Sequence, residues 1–183
     1  MIIGITGTIG AGKGTIVNCL KIKGFHHFSV REFLNEVIRK RNLEINRDNM
    51  VLIANELRKN HHPSYIVEKL YSLAKEKEGN SIIESIRNVG EVEKLKEKEN
   101  FYLISVDADM NLRYKRIIQR GNETDNRTFE EFAADEEREI TTKEVHKINL
   151  KECINRSDFK LTNNETIEEL ENQVEEVLRK ISD

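Results

Sequence analysis

Short apolar runs alternate along the chain with longer stretches in which apolar residues recur every three or four positions. That pattern predicts strands interleaved with helices. Strands are expected at Ile2–Thr6, Phe25–Ser29, Ser81–Ile86, Phe101–Val106 and Asp158–Thr162. Helices are expected at Lys13–Leu20, Arg31–Arg41, Asp48–Asn60, Ser64–Glu78, Glu91–Glu99, Asn111–Arg120, Phe129–Ile140 and about Ile148–Arg156. The last helix is the clearest. Ile167, Leu170, Val174, Val177 and Ile181 share one face, and Thr166 with Glu169 forms a capping-box pattern. Thr128 with Glu131 marks another helix start in the same way.

Short strands separated by helices imply an α/β fold with a parallel sheet, in which ligands gather at the carboxyl ends of the strands. Gly7, Glu84 and Asp107 then share one rim of the sheet. Asp107 is expected to cap the helix beginning near Asn111. The polar stretch Gly121 to Arg127 reads as a loop.

Composition narrows this picture only modestly. The 183 residues are 37% hydrophobic and 34% charged, which suits one globular domain with a substantial core. A net charge of -3 argues against nucleic acid as the main ligand. Cys19 and Cys153 match no metal or redox spacing, and the apolar start Met1 to Ile5 is too short for a signal segment. No apolar run approaches a membrane span. A cytoplasmic protein, monomeric or weakly dimeric, is expected. The adjacent pairs His26-His27 and His61-His62 point different ways on a strand or helix, so they are read as surface or packing residues rather than metal ligands.

The chemistry enters at Gly7-Thr8-Ile9-Gly10-Ala11-Gly12-Lys13-Gly14-Thr15, which follows a strand and opens a helix. The spacing from Gly7 to Gly12-Lys13 is that of a P-loop. Glycines let the backbone wrap a phosphate so that amide N–H groups point inward, and the helix N-terminus favours negative charge. Lys13 can reach the β- and γ-phosphates of ATP. One position departs from the common pattern: Gly14 stands where a serine or threonine usually ligates magnesium, so Thr15 or water must supply that group.

Other P-loop classes fit less well. A GTPase would need Asn-Lys-x-Asp, whose nearest match is Asn155-Arg156-Ser157-Asp158, and a switch Asp-x-x-Gly, which does not occur. A motor or AAA-type ATPase would need an apolar strand ending in Asp-Glu, whereas Tyr102–Val106 runs into Asp107-Ala108.

The Gly-x-x-Gly-x-Gly-Lys-Gly-Thr form, over most of the chain, resembles the nucleoside monophosphate kinases and their relatives, including dephospho-coenzyme A kinases. The resemblance implies a three-layer P-loop fold whose five-stranded parallel sheet has the order 2-3-1-4-5. ATP with Mg2+ would be the donor, and a nucleoside or deoxynucleoside monophosphate the acceptor. The alternative acceptor is dephospho-coenzyme A, and the alternative of another class is a nucleotide-dependent switch or weak ATPase.

Further roles follow from the same resemblance. Gly7, Thr8, Gly10, Ala11, Gly12, Lys13, Gly14 and Thr15 would cradle the phosphates. Ile82-Ile83-Glu84-Ser85-Ile86-Arg87 resembles the strand end that carries an acidic residue, usually followed by glycine, and then a phosphate-binding arginine. Glu84 and Thr15 would hold the magnesium, directly or through water. Arg87 would serve both acceptor and transfer. Arg113, Arg116 and Arg120 resemble the arginine-rich approach to a lid spanning about 121–138, with Arg116 catalytic and Arg120 on the nucleotide. Their spacing equally fits a solvated ion-pair face. Asp135-Glu136-Glu137-Arg138 resembles the lid's return, where Arg138 would contact phosphates or else balance the acidic run. Arg31 and Arg58 stand where such kinases grip the acceptor phosphate, within a helical insert of about 31–78.

Overall fold

The computed structural model describes residues 1–121, 128–140 (side chains through Glu137) and 148–182. In chain order the elements are β1 (Ile2–Gly7), α1 (Lys13–Ile22), β2 (His26–Ser29), α2 (Val30–Lys40), α3 (Arg47–Asn60), α4 (Tyr65–Lys75) and β3 (Ser81–Glu84). They continue as α5 (Val89–Lys96), β4 (Phe101–Asp107), α6 (Met110–Arg120), α7 (Phe129–Ile140), α8 (Leu150–Asn155), β5 (Phe159–Thr162) and α9 (Ile167–Ser182). The strands form one parallel sheet in the order β2-β3-β1-β4-β5.

Pleating sends alternate side chains of the central strand to opposite cores. Ile3 and Ile5 of β1 pack with Ile16 and Leu20 of α1 and with Leu170, Val174 and Val177 of α9. Ile2 joins the other core, built on Ile38 of α2, Ile53 of α3, Ile66 and Leu70 of α4, and Leu95 of α5. Each such side chain buried in full contributes about 1.5–3 kcal/mol. Two apolar layers on one sheet explain why β1, β3 and β4 read as near-continuous apolar runs instead of alternating ones.

Local signals set several boundaries. Thr128 and Glu131 exchange the two hydrogen bonds of a capping box, 2.8 and 3.2 Å. At α9, Glu169 N donates to Thr166 Oγ1 at 3.2 Å. Ile167, expected on the buried face of α9, is instead 66% exposed, because it precedes the turn where the helix meets the sheet. The fourth helix stops at Lys75, ahead of Gly79 with its φ of 94°. Cys19 and Cys153 are buried and unpaired, and burial, reinforced by the nearby Glu91 carboxylate, pushes the Cys153 thiol up to about 12.

Candidate active site

The glycine loop leaves β1 at Gly7 and enters α1 at Lys13. Gly12 occupies the N-cap position with φ 106°, and a Cβ there would collide with the Asn163 side-chain amide. Gly10 has φ 78°, and its Cβ would come within 2.7 Å of the Arg113 carbonyl. Neither position accepts another residue without moving its neighbours. Gly14 differs, since a Cβ there meets nothing within 4 Å. Gly14→Ala is therefore expected to raise unfolding stability by about 0.5–1 kcal/mol in a urea melt. It should also weaken ATP binding, because only a ligand brought close to the backbone requires a glycine at this point. Unchanged ATP affinity in calorimetry would remove that explanation.

Lys13 Nζ lies within the loop, donating to the Gly7 and Thr8 carbonyls at 2.8 Å each. Long-range partners hold the loop from behind. Arg113 of α6 is buried; its Nη1 donates to Ile9 O at 3.3 Å and its Nε to Ala108 O at 2.6 Å. Its fork pairs with both carboxylate oxygens of buried Glu136 on α7. Asn163, just past β5, donates Nδ2 to Ala11 O at 2.8 Å, and Arg116 Nη1 donates to Asn163 O at 2.9 Å. Thr8 Oγ1 donates to Asp107 Oδ1 at 2.5 Å.

These contacts correct two expectations. Asp107 does not cap the helix near Asn111: its carboxylate takes the Thr8 hydroxyl and the Ala108 N–H, while Asp109 sits at the N-cap of α6. Arg113 does not share a solvent-facing row with Arg116 and Arg120. It is an interior strut between the loop and α7, whereas Arg116 is half-buried and Arg120 exposed.

The loop faces a cavity lined by Gly10, Gly12, Lys13, Gly14 and Thr15 on one side and by Arg31, Glu84, Ser85, Arg87, Arg116 and Arg120 on the other. Glu84 ends β3, in register with Ile5 of β1. Burial pushes its carboxyl up, but the His27 ring at 3.1 Å, with the charges of Lys13 and Arg31, outweighs burial and holds it below its ordinary range. Glu84 and Thr15 thus face one anionic-ligand cavity with a carboxylate kept ionised. No cluster of three or more acidic, histidine or cysteine ligands occurs among the described residues. That donor set suits Mg2+, which keeps several waters and needs few protein ligands.

A second cavity opens beside the first and shares Ile9, Arg31, Ser85 and Arg87 with it. Its far wall is apolar, from Val30, Leu34, Met50, Val51, Ala54 and Ile148. Arg47, Asn55 and Arg58 complete the lining. Arg58 lines this space, but one edge of its guanidinium is engaged elsewhere. It is 4% exposed, and its Nε and Nη2 donate to Glu91 Oε1 at 3.1 and 2.7 Å. Glu91 Oε2 accepts the Arg87 and Asn88 N–H groups at 3.1 Å each. Arg47 pairs with Asp135 of α7 at 3.0 Å.

The remaining lid expectation, Asn122 to Arg127 and the Arg138 side chain, lies outside the described residues. Sequence reasoning missed the long-range pairings of Asn163 with Ala11, Glu91 with Arg58 and Glu136 with Arg113. The Asn88–Glu91 capping box was legible by its spacing.

Residues 3–144 match the family model described as an AAA domain. The UPF0200 protein of Thermococcus kodakarensis is 30% identical over 188 residues, covering 99% of this chain and 98% of its own length. Among solved structures, TT1252 from Thermus thermophilus superposes with a TM-score of 0.68 at 20% identity, covering 98% of this chain and 97% of its own. A dephospho-CoA kinase from Campylobacter jejuni gives 0.55 at 17%, covering 98% and 96%. A deoxyadenosine kinase from M. mycoides, with dCMP and dCDP bound, gives 0.55 at 19%, covering 100% and 99%. The sheet order matches theirs, and β4 runs into Asp107-Ala108 without the glutamate of motor-type ATPases. The chain therefore belongs to the UPF0200 family, an AAA-domain protein built on the kinase-like P-loop fold.

Proposed function

We propose that this protein transfers the γ-phosphoryl group of ATP to a nucleoside or deoxynucleoside monophosphate. The observation that carries the reading is the meeting of two cavities at Arg31, Ser85 and Arg87. One is lined by the phosphate-binding loop, and the other combines an apolar wall with Arg31 and Arg87 at the shared edge. Phosphoryl transfer consists mainly of placing donor and acceptor in line and neutralising the charge on the transferred group. A junction of this kind supplies both.

Within this reading Lys13 and the loop amides hold the β- and γ-phosphates, and Arg116 and Arg120 complete the donor site. Thr15 and Glu84 hold hydrated Mg2+, which supplies charge neutralisation when bound. Arg87 and Arg31 hold the acceptor phosphate, their planar forks matching its oxygens in pairs. The apolar wall of Val30, Leu34, Met50, Val51 and Ala54 supports an acceptor with a flat apolar part such as a base. Its substrates are small nucleotides, and its place is the cytoplasm. Among the described residues no helix is long and apolar enough to cross a membrane.

A coupled assay of ADP release tests the proposal, with ATP, Mg2+ and a panel of nucleoside monophosphates, deoxynucleoside monophosphates, dephospho-coenzyme A and shikimate. Turnover stimulated by a monophosphate supports it. Stimulation by dephospho-coenzyme A alone would move the assignment to that acceptor, and a rate no higher than with ATP alone would favour a switch or weak ATPase.

A further inference from the structure

Three residues other than glycine have positive φ: Asn42 at 56°, Asn100 at 55° and Ser85 at 72°, among the described residues. Asparagine tolerates the left-handed region because its short amide can bond locally. Serine has no comparable licence. Ser85 nevertheless occupies this conformation directly after β3, its N–H donating to Ile5 O at 3.0 Å and the Ile86 N–H to the same carbonyl at 3.2 Å. Glycine would relieve the backbone at no cost in contacts.

The Ser85 hydroxyl has no hydrogen-bond partner among the described residues, so local bonding does not compensate for the strain. It stands between Glu84, on the donor side, and Arg87, and Ser85 lines both cavities. Left-handed outliers held by their surroundings cluster where function needs a side chain in one particular place.

We propose that the Ser85 hydroxyl is a phosphate-binding group at the junction, donating to an oxygen of the acceptor's phosphomonoester next to the Arg87 guanidinium. The inference rests on the kinase reading above and adds a residue that the arginine pattern does not contain. A single neutral donor suits this position: it fixes the orientation of an anion that the arginines have already attracted, without adding charge beside the transferring group.

Two variants separate the hydroxyl from the backbone. Ser85→Ala keeps the strain and loses the donor, whereas Ser85→Gly loses both. With the acceptor that stimulates the wild type, each is expected to raise acceptor KM about tenfold while ATP KM stays within about twofold, as loss of one hydrogen bond to a charged group implies. Ser85→Gly should also melt about 2–4 °C higher than wild type, and Ser85→Ala should not. If Ser85→Gly gains stability and keeps the wild-type acceptor KM, the hydroxyl is idle and the proposal is overturned. If the wild type itself phosphorylates nothing in the panel, the kinase reading fails first, and this inference falls with it.

Discussion

Lys13→Ala is expected to lower kcat for phosphoryl transfer by about 10²–10³-fold or more, the usual cost of removing one group that stabilises charge in the transition state. The ammonium is already within the loop, 2.8 Å from the Gly7 and Thr8 carbonyls. Bound phosphates would offer it oxygens of full negative charge in place of these neutral acceptors. The alanine variant leaves two carbonyls short of one donor, a loss of about 0.5–1.5 kcal/mol per hydrogen bond. The loop itself is also held by Asn163 on Ala11 and Arg113 on Ile9, contacts made through other atoms than the Lys13 ammonium. A variant that melts within a few degrees of wild type yet lacks turnover would show that Lys13 acts in chemistry. Near-normal kcat would place the transferred phosphate elsewhere and undo the donor-site assignment. Arginine should not rescue it, because the loop accommodates a compact point charge rather than a planar fork.

How much of this was legible in the sequence depends on the range over which each feature is decided. The inner strands β1, β3 and β4 follow from local apolar runs, since a parallel sheet covered on both faces needs no alternation there, whereas the edge strands β2 and β5 are more polar and more exposed. The glycine loop follows from a spacing within nine residues. Strand order does not: no local signal says that β1 lies between β3 and β4, and it was the resemblance that supplied it. The arginines show the same division. A sequence marks Arg58 and Arg113 as cations near the right elements, but only the fold shows Glu91 and Glu136 taking their forks. Asp107 was misjudged for a related reason. Its distance from Asn111 suits a cap, whereas Thr8, its true partner, lies 99 residues away. Ser85 was visible only as a departure from glycine, and its φ of 72° turns that departure into a question about function.

Arg58→Met should be among the most damaging single substitutions for stability. Arg58 and Glu91 are 4% and 0% exposed, and every Glu91 carboxylate contact described above is internal. Removing the guanidinium strands a fully buried carboxylate on α5, a cost of about 3–5 kcal/mol. For a chain of this size that is a fall in Tm of roughly 6–20 °C, at about 2–4 °C per kcal/mol. Glu91→Leu should be comparably harmful, since it strands the cation and also orphans the Arg87 and Asn88 N–H groups. The double variant Arg58→Met/Glu91→Leu leaves no buried charge at this site and should recover much of the loss, as apolar replacement of a buried pair often does. Recovery in urea melts should nonetheless be incomplete, because those two amides remain without their acceptor. The same two amides fix the backbone that carries Arg87 to the cavity junction. The double variant should therefore fold and bind ATP while acceptor KM rises, a combination that a purely structural pair would not produce. A double variant no more stable than either single one would show that the two charges are not coupled. Full recovery of acceptor KM would detach the pair from Arg87.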